Sequence, residues 1–341
     1  MIEELIKKLE DVYPYEYLEG HLLINGDCLK VMELIDDKSI DLILTDPPYF
    51  NIVKNKWDRQ WKTIQEFQEW CGVVGKSIYK VMKDNASFYW FGDDKNIAYC
   101  QVELDKQFRL LNNLVWKKIN ALCQKGTTEY RSYAPITERC LFYDKGESMT
   151  GLEMVKKIIQ NPFAEYLKSE FKRAKITNRE IASLFPSSTG GLTGCVSNWL
   201  NGDNIMLKEQ YLKVREYLNN EYLRKEYEEL RKEYEELRKE YEELRRPWNN
   251  DKKAFDVLDF GICQDKGRFH DTQKPLLIIA YLINRSSKEN GLICDIFAGS
   301  FTTTIAAIRT KRKSICIELD PDYYALGVKR VKEELQQGML I

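Results

Sequence analysis

Residues 40–49 read IDLILTDPPY, a short apolar run that ends in Asp46, Pro47, Pro48 and Tyr49. The run has the length and composition of a buried strand. Two consecutive prolines neither extend a ladder nor open an ordinary helix, so the chain is fixed in an extended turn. That turn holds the Asp46 carboxylate, the Pro47 carbonyl and the Tyr49 ring outward at the strand's carboxyl end. Open α/β sheets bind their ligands at this edge. Two acceptors beside an aromatic face can grip an exocyclic amino group while the ring stacks on the base that carries it. The same tetrapeptide also serves as a rigid turn closed by an Asx-type bond.

Outward from this stretch, strands alternate with helices. Residues 63–83 carry helical periodicity, with Phe67, Trp70, Val74, Ile78 and Val81 near one face. Residues 87–91, 114–116 and 139–143 read as further strands. The α/β pattern returns after residue 251, with strands at 292–296 and 314–318 and helices at 303–309 and 322–335. Between the two zones the chain is helical throughout and ends in a repeat, LRKEYEE, starting at Leu223, Leu230 and Leu237, before Pro247. The spacing predicts one α/β domain built from 1–145 and 251–341, with 146–250 inserted as a helical module.

A second motif, CDIFAGSFTTT at 294–304, has strand–loop–helix form. Such a loop lets backbone N–H groups approach a ligand closely. Glu318 ends the next strand about twenty residues past Gly299, the spacing of an acid that binds the ribose hydroxyls of a nucleoside cofactor. A structural turn followed by a solvated acid is the alternative.

Composition narrows the classes. The chain has 341 residues, 43% apolar and 31% charged, which describes a folded protein and not a disordered one. No apolar run approaches the roughly 18 residues needed to span a bilayer. The start, MIEELIKKLEDVY, carries no signal-peptide core, so a cytoplasmic location is expected. Nine cysteines form no CxxC and there are two histidines, so neither a zinc site nor a disulfide framework is expected. With a net charge of -1, any nucleic-acid partner must be met by a local patch.

With these motifs in view, the chain resembles the site-specific DNA amino-methyltransferases that use S-adenosylmethionine, of the adenine-N6 or cytosine-N4 kind. The likeness rests on DPPY at 46–49, FAGS at 297–300, CIELD at 316–320 and HDTQKP at 270–275. Their order, with the target-amine motif first and the cofactor loop last, is that of the family's beta group. The resemblance covers both α/β zones. It argues against glutamine-methylating relatives, whose tetrapeptide starts with Asn and follows the cofactor loop. It implies a Rossmann-like, doubly wound methyltransferase sheet, S-adenosylmethionine as cofactor, and duplex DNA as partner.

Carried over residue by residue, the resemblance has Asp46 and the Pro47 carbonyl hold the target amine, with Pro48 completing the motif and Tyr49 stacked on the base. Asp295, Phe297, Ala298, Gly299 and Ser300 would line the methionine part of the cofactor, and Glu318 would bind its ribose. Asp27 and Cys28 would meet the cofactor adenine, and Thr272 and Lys274 would close the methionine side. Asp at the first motif position points to adenine by the same resemblance. Where the family's loop usually has Gly, this chain has Phe301, which takes a positive φ only at a cost. If the loop works regardless, Phe301→Gly is expected to bind cofactor at least as well. Cytosine-N4 transfer is one alternative, and a non-catalytic DNA-binding regulator on the same scaffold is another.

Residues 176–202 resemble the helix-turn-helix of repressor-like DNA-binding domains, with a capping box at Thr177 and Glu180 and a longer turn than usual. In that arrangement Thr193, Ser197 and Asn198 would contact bases or phosphates, and Lys168, Lys172, Arg173 and Lys175 would meet phosphates. An ordinary helical pair is the alternative. Lys117 and Lys118 read as a solvated basic spot. In the repeat, Tyr227, Leu230, Tyr234, Leu237, Tyr241 and Leu244 form an a/d seam. No proline interrupts 208–245, which predicts one helix of about 57 Å. Its seam suits a homodimer through 223–244, with the chain's own surface or a lone charged helix as the other outcomes.

Overall fold

The computed structural model describes residues 1–52, 56–120, 133, 135–146, 161–187, 191–262 and 273–338. Two compact units divide the chain, Met1–Ser148 with Arg246–Ile341, and Met149–Arg245.

The first unit begins with α1 (Ile2–Leu9), β1 (Tyr15–Leu18), β2 (His21–Asn25), α2 (Cys28–Met32) and β3 (Ile40–Thr45). It continues through α3 (Ile64–Val81), β4 (Met82–Gly92), α4 (Ile97–Leu104), β5 (Arg109–Lys118) and β6 (Thr137–Asp144). The second unit holds α5 (Pro162–Arg173), α6 (Asn178–Ser183), α7 (Cys195–Asn201), α8 (Lys208–Tyr217) and α9 (Tyr227–Leu244). The first unit then resumes with β7 (Val257–Phe260), α10 (Leu276–Ser286), β8 (Leu292–Asp295), α11 (Thr302–Arg309), β9 (Lys313–Glu318) and α12 (Pro321–Gly338).

Among the described residues nine strands form one sheet in the order β1-β2-β9-β8-β3-β4-β6-β5-β7. The run from β2 through β9, β8 and β3 to β4 is parallel. Successive residues of β3 face opposite sides: Ile43 joins a core with Phe88, Trp90, Val74 and Ile78, while Leu42 and Leu44 join one with Tyr89, Phe91, Ile279 and Ile293. Helices cover both faces, so the central strands are apolar on both. Such strands read as unbroken apolar runs, without hydrophobic–polar alternation. Thr63 caps α3 by accepting from the Glu66 amide at 3.1 Å, and Phe67, Cys71, Val74, Ile78 and Val81 fill its buried stripe. From β3 the chain crosses to β4 on one side, and from β8 to β9 on the other. This reversal between adjacent strands opens a crevice at their carboxyl ends.

The second unit has its own core, in which Phe163, Leu167, Phe171, Ile181, Val196, Trp199, Tyr211 and Val214 meet Tyr227 and Leu230. Thr177 and Glu180 form the capping box that starts α6, and Gly202, at φ 81°, ends α7. The single helix expected over 208–245 does not form. Asn219, Asn220 and Leu223 take positive φ of 55°, 56° and 54°, and break it into α8 and α9. Leu223 is buried, and the Tyr211 hydroxyl donates to the carbonyls of Leu223 and Lys225, which pins the break. The 18 residues of α9 make a helix of about 27 Å instead. The first heptad of the seam, Tyr227 and Leu230, is spent on the unit's own core, whereas Leu244 is exposed. Among the described residues no helix is long and apolar enough to cross a membrane.

Candidate active site

Thr45 ends β3 and Asp295 ends β8, and the Thr45 hydroxyl donates to Asp295 Oδ1 at 2.9 Å. A cavity of about 920 Å³ opens along these strand ends and reaches Glu318 at the end of β9. Asp27, Cys28, Asp46, Pro47, Pro48, Tyr49 and Lys274 line it, as do Asp295, Phe297, Ala298, Gly299 and Ser300. Thr272 lies outside the described residues.

At one end stand the residues of the second motif. Asp295 is buried, and its carboxylate accepts from the Thr303 hydroxyl at 2.6 Å and the Phe297 amide at 3.1 Å as well as from Thr45. Burial pushes its carboxyl up to about 6 against these hydrogen bonds. The loop turns sharply at Gly299, φ 50°, and again at Phe301, φ 56°, where a non-glycine residue is strained. The Phe301 ring is fully buried with Leu23, Ile305, Val328 and Val331, and a side chain at Gly327 would overlap it. The left-handed backbone therefore stands, and inward packing of the ring holds it. Glu318 reaches back to the loop, accepting from the Gly299 amide at 2.7 Å and the Asp320 amide at 2.8 Å. Burial raises its carboxyl to about 7. Asp27 caps α2 by accepting from the Lys30 amide at 3.1 Å. Burial and then Asp27 push the neighbouring Cys28 thiol up to about 12, which leaves it an unreactive wall.

At the other end the first motif is held by residues that no local pattern announced. Asp58, fully buried, accepts from the amides of Tyr49 at 2.7 Å and Ile52 at 2.6 Å. Asn96 Nδ2 donates to the carbonyls of Tyr49 at 2.8 Å and Phe50 at 3.2 Å. Between these anchors Phe50 and Asn51 both take positive φ, 65° and 61°. The Tyr49 hydroxyl donates to Asp46 Oδ1 at 2.5 Å, and the Lys274 ammonium donates to Asp46 Oδ2 at 2.6 Å. Lys274 also lies 3.2 Å from Glu138 Oε2, and Lys118 pairs with Glu138 Oε1 at 2.6 Å. Lys274, assigned to the methionine side by resemblance, has its charge on the target-amine motif. Lys118, read as a solvated spot, is part of the same network. Burial pushes the Glu138 carboxyl upward, but Lys274 and Lys118 outweigh it and hold the group below the usual range. Burial followed by the charges of Asp46 and Glu138 holds the Tyr49 hydroxyl well above its ordinary value, so it stays a neutral donor.

In the helical unit, Lys172, Ser197 and Asn198 are exposed. Lys175 is exposed too, at φ 55°. Arg173 pairs with Glu170 at 2.7 Å and lies 4.9 Å from the Tyr222 ring centroid, while Lys168 pairs with Glu165. The Thr193 hydroxyl donates to the Phe185 carbonyl at 3.0 Å within its own turn.

A family model described as DNA methylase, for N6 and N4 enzymes, matches residues 40–329. The DNA adenine methyltransferase YhdJ of Escherichia coli (strain K12) is 26% identical over 319 residues, covering 92% of this chain and 83% of that protein. The type II methyltransferase M2.LlaDCHI of Lactococcus lactis subsp. cremoris is 23% identical over 347 residues, covering 96% and 94%. Among solved structures, the cytosine-N4-specific PvuII DNA methyltransferase shares the fold, with a TM-score of 0.52 at 13% identity over 94% of this chain and 92% of that one. Matched from the strand that presents Asp46 to the helix after Glu318, the chain belongs to the N6/N4 DNA methylase family.

Proposed function

We propose that the protein transfers a methyl group from S-adenosylmethionine to the N6 amine of adenine in duplex DNA. The observation that carries this reading is the placement of Asp46 and Tyr49 at one end of a cavity whose other end is Glu318. The donor set fits the cofactor. Asp295 is a buried carboxylate bonded to two hydroxyls and an amide, and an α-ammonium group would supply its countercharge. Glu318 offers a carboxylate to a ribose diol. When bound, S-adenosylmethionine would supply a sulfonium methyl: the amine lone pair would form the N–C bond as the C–S pair returned to sulfur, and the proton lost from the amine would pass to water.

The chain's own part is positioning. An amino group conjugated to a base ring is a poor nucleophile. The Asp46 carboxylate and the Pro47 carbonyl accept its hydrogens and turn its lone pair toward the methyl carbon. A stacked duplex base cannot reach a cavity of this kind, so the base is flipped out and laid on Tyr49. Adenine is supported by Asp at the first motif position and by the adenine-methylating relative. The helical unit is the reader, with Ser197, Asn198 and Thr193 toward bases or phosphates and Lys172, Arg173 and Lys175 toward phosphates. Incubation with unmodified duplex DNA and cofactor, followed by nucleoside mass analysis, tests the reading. N6-methyladenine supports it, N4-methylcytosine moves it to the other base, and absence of both contradicts it.

A further inference from the structure

Lys274 is 7% exposed and sits where two carboxylates meet. Its ammonium donates to Asp46 Oδ2 at 2.6 Å and to the Tyr49 hydroxyl oxygen at 2.9 Å, and lies 3.2 Å from Glu138 Oε2. It also stands 5.2 Å from the Tyr49 ring centroid and 5.3 Å from that of Phe91. The groups that face Asp46 come from four places. Tyr49 follows it in the motif, Lys274 precedes α10, Glu138 and Cys140 lie on β6, and Asp295 ends β8. Lys118, which ends β5, pairs with Glu138. Two cations balance Asp46 and Glu138, while Asp295 adds a third acid nearby. A buried ammonium is retained at such a point only when carboxylates and hydrogen bonds repay its desolvation.

The chemistry at Asp46 needs an acceptor. A protonated carboxyl would present a donor where the base amine must give a hydrogen. Burial already pushes the Asp46 carboxyl above its ordinary range, and Glu138 pushes the same way; the opposing charge is Lys274. The Tyr49 hydroxyl, bonded to both Asp46 and Lys274, ties the carboxylate to the ammonium.

We propose that Lys274 is a positioning residue for methyl transfer: it holds Asp46 ionised and oriented as the acceptor of the target amine, with Glu138 as the counterweight that shares its charge. The inference rests on the methyltransferase reading and adds to it a residue that acts through Asp46.

The two partners give opposite signs, which makes the test sharp. Turnover on DNA is followed against pH, with cofactor affinity measured by calorimetry, for the native chain, Lys274→Met, Lys274→Arg and Glu138→Gln. The acid limb of kcat reports protonation of the acceptor in the bound complex. Lys274→Met is expected to move that limb to higher pH and to lower kcat at neutral pH about 100-fold, the scale of losing one charge-placing group. Glu138→Gln is expected to move the limb to lower pH. Lys274→Arg is expected to return the limb toward its native position, and cofactor affinity should hold in all three. Limbs that stay put, or that move the same way in Lys274→Met and Glu138→Gln, overturn the proposal. So does a Lys274→Met loss carried wholly by cofactor affinity. If Lys274→Met does not fold, Glu138→Gln decides alone: a downward limb supports the proposal, and an unmoved or upward limb overturns it. A native chain that methylates no DNA contradicts the methyltransferase reading itself and the proposal with it, whereas an active native chain with unmoved limbs removes only the role of Lys274.

Discussion

A side chain at Gly327 would overlap the Phe301 ring, so the two positions are read together. Gly327→Ala is expected to destabilise the chain by about 1–3 kcal/mol through overpacking, measured as a lower midpoint in thermal unfolding. Phe301→Gly relieves a left-handed backbone but empties a fully buried ring site, at a cost of about 3–5 kcal/mol. Its net effect is therefore a less stable protein, whatever its cofactor affinity, which the motif leads one to expect at least as high as native. Glu318 carries a pH signature. Its carboxyl stands near 7, and ribose hydroxyls bind the ionised form. Cofactor affinity is then expected to weaken as pH falls through 7, and Glu318→Gln should bind more weakly and lose that part of the dependence in calorimetry. Constant affinity between pH 8 and 6 would contradict the assigned partner. Asp46, Tyr49, Asp295 and Glu318 were legible because each sits inside a motif whose spacing is set by strand ends. Glu138, Lys118, Asp58 and Asn96 were not, because the fold brings them to the cavity from places that carry no chemical pattern.

At the scale of elements, the central strands β3, β4, β8 and β9 were readable as apolar runs, since both faces of the sheet are covered there. β1, β2 and β7, whose sequences YEYL, HLLIN and VLDF are interrupted or flanked by polar residues, escaped notice. α9 shows why a repeat can mislead. The identical heptads imply a uniform seam, yet Leu230 is wholly buried in the helical unit while Leu244 is exposed. Leu230→Lys is therefore expected to unfold that unit, visible as loss of helical circular dichroism, regardless of any association between copies. Leu237→Lys, at a partly buried position of the same stripe, is expected to leave the unit folded. Light scattering on Leu237→Lys beside the native chain then tests the heptad seam as a contact between copies. A reader role for α7 predicts that Asn198→Ala relaxes sequence preference. Lys172→Ala should weaken binding to every sequence and flatten its salt dependence, and equal losses in both variants would remove Asn198 as a base contact.

For the whole molecule, catalytic and helical parts have separate cores, and every described residue lining the cavity belongs to the first unit. Removal of 149–245 is accordingly expected to leave cofactor affinity near native while sequence preference on DNA is lost, measured by calorimetry and by a binding assay on unrelated duplexes. Asp46, as the group proposed to hold the reacting amine, is the residue on which methyl transfer depends most. Single-turnover transfer of labelled methyl to duplex DNA, with native protein and Asp46→Ala each saturated with cofactor and DNA, tests it most directly. The predicted result is transfer by the native protein and a rate lower by about 100- to 1000-fold in Asp46→Ala, with both binding affinities retained. Transfer by Asp46→Ala at the native rate would contradict it.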